Sequence, residues 1–251
     1  MEILSFEKVG IKQIIIDGQY IKPTENKSRS IEFIGDSMTC GYGNEGIWNI
    51  DTFNTAKENP FEAYAAKTAW HFNADFNCIS WSGTGVISSY TEVDTKNIDW
   101  LMPMLYKYTD AGLDQSLGNT EYEIWDNNLF KPHIIVINLG TNDFSYTKDL
   151  KDRINEFIHG YYKLLKQVRH CNPNAEIICS LGAMGQELCS AVEETAAIFE
   201  NENNDSKIHT IRFDVQIESD GIGIDWHPSL KTHDKMAKQL ISKIQSVMGW
   251  S

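Results

Sequence analysis

The chain has 251 residues, 41% of them hydrophobic, and a formal charge of -13. That length accommodates one large domain, or one domain with a small appendage. The negative balance argues against nucleic acid, anionic membrane surfaces and strongly acidic substrates as partners, and no apolar run reaches membrane-spanning length.

Residues 1–7 lack the basic stretch followed by an apolar one that marks a secretory leader. The five cysteines, Cys40, Cys78, Cys171, Cys179 and Cys189, are odd in number and scattered, with no Cys-x-x-Cys. The expectation is a cytoplasmic, reducing compartment (a processed secreted form has the same appearance), with neither a disulfide framework nor a zinc site.

Residues 1–30 read as an appendage. Phe6, Val9 and Ile11 lead into Ile14-Ile15-Ile16, then Asp17-Gly18, then Tyr20-Ile21. Asp-Gly between apolar runs predicts a β-hairpin, the remnant of an accessory β-domain. From 31 to 251 the rhythm becomes strand, loop, helix, repeated. Ile31, Phe33 and Ile34 predict a short buried strand that breaks at Gly35. The apolar spacing over 60–72 predicts a helix, and 76–81 the next strand, ending in Ser82-Gly83. Residues 86–130 are irregular and aromatic-rich, with a short helix near 99–107, and are expected to wall the site. The almost continuous apolar run 133–139 is a buried parallel strand ending in Gly140-Thr141-Asn142-Asp143. Helices over 150–168, 187–199 and 229–248 alternate with strands over 176–181 and 208–213. Such alternation implies an α/β fold with a mostly parallel sheet covered on both faces.

In a parallel sheet the strand ends share one edge, so Gly35-Asp36-Ser37, Ser82-Gly83 and Gly140-Thr141-Asn142-Asp143 can converge there. Gly223-Ile224-Asp225-Trp226-His227-Pro228 forms the loop before the last helix. Acyl transfer needs a nucleophile, a base, a group orienting the base and donors for the oxyanion. Ser37 supplies the nucleophile and His227 the base. The oxyanion donors are the backbone N–H groups of Ser37 and Gly83 and the side-chain amide of Asn142. The other histidines, His233 among them, read as surface or strand-edge residues. Asp36 and Asp143 read as braces for their turns, and Trp226 as an aromatic platform for a sugar ring.

Gly35-Asp36-Ser37, Gly83, Gly140-x-Asn142-Asp143 and a late Asp-x-His resemble the four blocks of the SGNH (GDSL-type) hydrolases. The fuller string from Gly35 to Gly43, together with Asp225-Trp226-His227-Pro228-Ser229, is similar to the family 2 carbohydrate esterases. The resemblance implies a three-layer α/β/α flavodoxin-like fold and hydrolysis of O-acetyl esters on sugars such as xylan or mannan, without a metal or other cofactor. Two features depart from the pattern. Only about one hairpin precedes the catalytic region, where family 2 members carry a jelly-roll domain. The acid and histidine are spaced Asp225-x-His227 rather than Asp-x-x-His. Three groups therefore compete to orient His227: the Asp225 carboxylate, Asp214, and a main-chain carbonyl such as that of Trp226.

Alternative readings are a GDSL lipase or thioesterase acting on longer acyl esters, and a carbohydrate-binding module without turnover. Gly41-Tyr42-Gly43-Asn44-Glu45-Gly46 matches Gly-x-Gly-x-x-Gly, but a dinucleotide fingerprint begins directly after a strand and opens a helix. Here Asp36-Ser37 intervenes and polar loop follows.

Overall fold

The computed structural model describes residues 13–251. Five parallel strands form one sheet: β1 (Ser30–Gly35), β2 (Asp75–Ser80), β3 (Ile134–Asn138), β4 (Glu176–Gly182) and β5 (Ile208–Phe213). Their spatial order is β2-β1-β3-β4-β5, with every pairing parallel. Eight α-helices accompany them among the described residues: α1 (Ser37–Cys40), α2 (Tyr64–His71), α3 (Met102–Leu105), α4 (Ala111–Ser116), α5 (Thr141–Thr147), α6 (Lys151–Cys171), α7 (Cys189–Asn203) and α8 (Leu230–Met248). None is long and apolar enough to cross a membrane.

Side chains on each strand alternate between two cores. Ile34, Ile135, Ile137, Ile177 and Cys179 pack under α6 and α7, against Phe157, Tyr161, Leu164, Leu165 and Val192. Ile31, Phe33, Ile134, Val136 and Ile178 pack under α2 and α8, against Tyr64, Ala65, Met236, Leu240 and Ile244. Burial on both faces is why β3 reads as a continuous apolar run instead of an alternating one, and why β1 is apolar at Ile31, Phe33 and Ile34 around a buried Glu32. This is the three-layer α/β/α arrangement the sequence implied.

The chain leaves β1 for β2 on one side and continues to β3 on the other. The topological switch point of the sheet, where open α/β folds place their ligands, therefore lies at the C-terminal end of β1. The register brings the strand ends level: Gly35 is opposite both Ser80 and Asn138, and Asn138 is opposite Ser180.

Three expectations change. The hairpin centred on Asp17-Gly18 is not formed over residues 13–29, which contain no strand; its beginning at Phe6 falls outside the described residues. Ile14, Ile15, Ile16, Tyr20 and Ile21 are exposed, and two strands with no third partner or covering helix do not hold together in water. The polar stretch after Gly140, expected only as a turn, continues as α5. His233, expected at the surface, is fully buried, because it shares the inward face of α8 with Met236, Ala237, Leu240 and Ile244.

Candidate active site

Three turns at the C-terminal edge of the sheet carry the polar groups. Asp36 caps α1 by accepting from Met38 N at 3.0 Å, which sets Ser37 as the first residue of that short helix. Ser37 is 7% exposed, enough to present its hydroxyl to the cleft. Gly83 sits in the left-handed region, φ +81°, which a side chain would strain. The backbone N–H groups of Ser37 and Gly83 have no acceptor among the described residues.

Asn142, in the first turn of α5, ties these turns together. Its Nδ2 donates to Thr84 O at 2.8 Å and to Asp36 Oδ2 at 3.3 Å. Asp143 beside it is fully buried and accepts from three successive backbone N–H groups, those of Val86, Ile87 and Ser88, at 2.7–3.0 Å. That cradle fastens the start of the 86–130 segment under α5. Met102 N donates to Gly85 O, Tyr90 N to Gly83 O and Thr84 Oγ1 to Trp100 O, so the same segment fixes the Gly83 turn. Residues further along it line a separate cavity of about 440 Å³ against β2, with Tyr106, Tyr108 and Trp125 in its wall. The expected site wall is thus confined to the first part of the segment.

Burial pushes Asp36 up to about 7, opposed by the Met38 N–H, and Asp143 up to about 6, opposed by its three N–H donors. Both carboxyls serve as braces, with the environment working against their charge.

His227 arrives from a strained loop between β5 and α8. Its Nε2 lies 2.8 Å from Ser37 Oγ. Its Nδ1 faces two main-chain oxygens, Ile224 O at 3.1 Å and Asp225 O at 3.2 Å. Carbonyls only accept, so Nδ1 carries the proton and Nε2 is left as the acceptor for the serine hydroxyl. Desolvation lowers His227 to about 4, the two carbonyls and the Asp225 charge opposing. The imidazole is therefore neutral, and a competent base, well below neutral pH.

The Asp225 carboxylate does not orient the histidine through its side chain. Its Oδ2 accepts from Tyr42 OH at 2.8 Å, because φ +52° at Asp225 turns the side chain away and the carbonyl toward the ring. Of the other two contenders, Asp214 drops out and the main-chain carbonyl stands, supplied by Ile224 and Asp225 instead of Trp226. Asp214 is exposed, with only its backbone N bonded, to Gln239. The Trp226 carbonyl is taken by Gln216 Nε2 at 2.6 Å. Trp226 is 39% exposed and meets Trp48, 38% exposed, edge to face at 4.4 Å.

Tyr42, Trp48, Phe53 and Gln216 are site residues that the sequence reading did not single out. Tyr42 lay inside the Gly41–Gly46 string and could have been found there. The other three carry no local signal. Among the described residues no group of three His, Cys, Asp or Glu side chains suits a metal ion, and all five cysteines are free.

The sequence model of the GDSL-like lipase/acylhydrolase family matches residues 31–240. The chain belongs to this family. It is 37% identical over 233 residues to cellulase/esterase CelE of Acetivibrio thermocellus, covering 91% of this chain and 26% of that protein. An acetylxylan esterase / glucomannan deacetylase of Cellvibrio japonicus is 28% identical over 247 residues, covering 97% of this chain and 64% of its own length. The chain thus spans about a quarter of the first relative and under two thirds of the second. Among solved structures, a family two carbohydrate esterase from Clostridium thermocellum in complex with cellohexaose superposes with TM-score 0.78 at 37% identity, covering 92% of this chain and 68% of that one. The fold alone is shared with an acetyl xylan esterase, Est2A, from Butyrivibrio proteoclasticus, at TM-score 0.82 and 24% identity over 94% of this chain and 68% of that one.

Proposed function

We propose that this chain is a metal-independent serine esterase that removes O-acetyl groups from carbohydrates. The observation that carries the reading is the 2.8 Å contact between Ser37 Oγ and a His227 Nε2 whose proton is held on the opposite nitrogen by main-chain carbonyls. The acetyl group and the sugar are supported by the names of the relatives, which include an acetylxylan esterase / glucomannan deacetylase and an esterase structure holding cellohexaose.

In this reading Ser37 Oγ attacks the acetyl carbonyl as its proton passes to His227 Nε2. The oxyanion accepts from the N–H groups of Ser37 and Gly83 and from Asn142 Nδ2. One Asn142 hydrogen stays on Thr84 O, while the other exchanges its long 3.3 Å contact with Asp36 for the developing charge. Donors aimed at a charge that exists only in the transition state lower the barrier without tightening substrate binding. Collapse breaks the C–O bond, and Nε2–H gives its proton to the departing sugar oxygen. Water, losing a proton to Nε2, then attacks the acetyl-serine, and acetate leaves as Ser37 recovers its hydrogen. Trp48 and Trp226 offer ring faces and edges at the leaving-group side, suited to the apolar face of a sugar.

The test compares p-nitrophenyl acetate with p-nitrophenyl octanoate, in wild type and Ser37→Ala. Acetate turnover that Ser37→Ala abolishes, with acetylated xylo- or manno-oligosaccharides also cleaved, supports the proposal. Preference for octanoate moves the reading to a lipase. Near-wild-type turnover in Ser37→Ala removes Ser37 as the nucleophile.

A further inference from the structure

Tyr42 occupies an unusual place in this site. Its ring is sandwiched, stacking on Phe53 at 4.0 Å and 11° and lying 4.4 Å from the His227 ring at a 36° tilt. Its hydroxyl donates to Asp225 Oδ2 at 2.8 Å. Asp225 and Trp226 are two successive non-glycine residues in the left-handed region, φ +52° and +66°. Such a pair persists only where its surroundings over-determine it. Here the surroundings are visible. Gly43 O accepts from Ile224 N at 3.1 Å, Ile222 O accepts from Trp48 N at 3.0 Å, and Gln216 Nε2 holds Trp226 O. A Cβ on Gly43 would fall 2.8 Å from Ile224 Cβ, so the two loops touch backbone to backbone.

The strained conformation has one chemical product. It sends the Asp225 side chain outward and turns the Asp225 carbonyl, with that of Ile224, toward His227 Nδ1. Resting on the proposed Ser37–His227 esterase, we infer that Tyr42 and Asp225 form a positioning clamp: the hydroxyl–carboxylate bond pins the base-bearing loop so that its carbonyls orient the imidazole, and the Tyr42 ring fixes the imidazole plane. The pair acts through geometry. A neutral acceptor at position 225 therefore serves as well as a carboxylate, whereas a triad acid would need its charge.

The experiment uses two readouts: kcat and KM on p-nitrophenyl acetate, and the rate at which phenylmethylsulfonyl fluoride labels Ser37, which reports serine activation without any sugar contact. Asp225→Asn, whose Oδ1 still accepts from Tyr42 OH, retains most of the wild-type rate in both. Asp225→Ala and Tyr42→Phe each lower kcat and labelling on the order of 10- to 100-fold, the scale of a misplaced catalytic group, while KM and the thermal midpoint stay near wild type. The double variant Tyr42→Phe/Asp225→Ala is no worse than either single change, since both remove one bond. Asp225→Asn as damaging as Asp225→Ala overturns the clamp in favour of a charged triad acid. Wild-type rates in Tyr42→Phe, or losses that multiply in the double variant, also overturn it. Ser37→Ala separates the two levels: turnover and labelling that survive in it overturn the nucleophile and the clamp together, whereas survival only in Tyr42→Phe and Asp225→Ala overturns the clamp alone.

Discussion

The acid side of the pH–rate profile is the sharpest consequence of the site. His227 must be neutral to take the serine proton, and burial has lowered it to about 4. An imidazole titrating there is about 90% neutral at pH 5, whereas one at the ordinary value of 6.5 is about 3% neutral. kcat/KM reports the free enzyme. At pH 5 it is thus expected at about nine tenths of its pH 7 value, against about 4% for an unperturbed histidine. The assay is the initial rate on p-nitrophenyl acetate from pH 3.5 to 8, read where phenol and phenolate absorb equally. Tryptophan fluorescence checks that the chain is folded throughout. Folding linkage bears on that control. His227 and His233, the latter lowered to about 3 by burial, stay neutral in the native state while the unfolded chain protonates them below 6.5; their contribution is present above 6.5 and lost as pH falls. Glu32 and Asp36, raised to about 7, and Asp143, raised to about 6, work the other way. They keep protons that the unfolded chain has released, so their contribution is fullest below the ordinary carboxylate range and is lost as pH rises through those values. Near pH 5 the histidines and the carboxyls pull in opposite directions. The fluorescence control sets the pH range over which the acid limb is read on folded protein. A limb centred near 6.5 refutes the desolvated, carbonyl-held imidazole.

Two further outcomes are expected. Asn142→Ala lowers kcat on p-nitrophenyl acetate about 100- to 1,000-fold with little change in KM, the mark of a lost oxyanion donor; a drop confined to KM would assign Asn142 to ground-state binding. Trp48→Ala raises KM about fivefold on an acetylated oligosaccharide, from roughly 1 kcal/mol of lost ring contact, and leaves p-nitrophenyl acetate unchanged; equal effects on both substrates would place Trp48 in the scaffold.

The parts of the fold that the sequence made legible are those buried on both sides. Ile134–Ile137 had to be a strand because a continuous apolar run that short has nowhere else to go, and Ile31, Phe33 and Ile34 are interrupted only by the buried Glu32. The long helices declared themselves by an apolar stripe, as in Phe157, Tyr161, Leu164, Leu165 and Val168 of α6. α5 did not, since Asn142, Asp143 and Ser145 present polar groups that bond to distant backbone instead of solvent. His233 belonged to a stripe that was visible, but a histidine within it was weighed by its type instead of its spacing. Its Nδ1 accepts from Tyr64 N at 3.2 Å, a partner 169 residues away that no local pattern announces. The orientation of Asp225 was out of reach for a related reason. The dihedral that turns its carboxylate outward is imposed by Tyr42, Gly43 and Gln216, two of which come from the other end of the chain.

Ser37 and His227 are separated by 190 residues. The nucleophile is made long before its base, so no partial chain ending before His227 in the loop that precedes α8 holds both. Bringing the two ends together is a long-range closure, and contacts of high sequence separation form late and slowly. Recovery of esterase activity after dilution from denaturant is thus expected to lag the recovery of helical signal. The lag measures the time the chain needs to dock its last loop and helix onto a sheet already built.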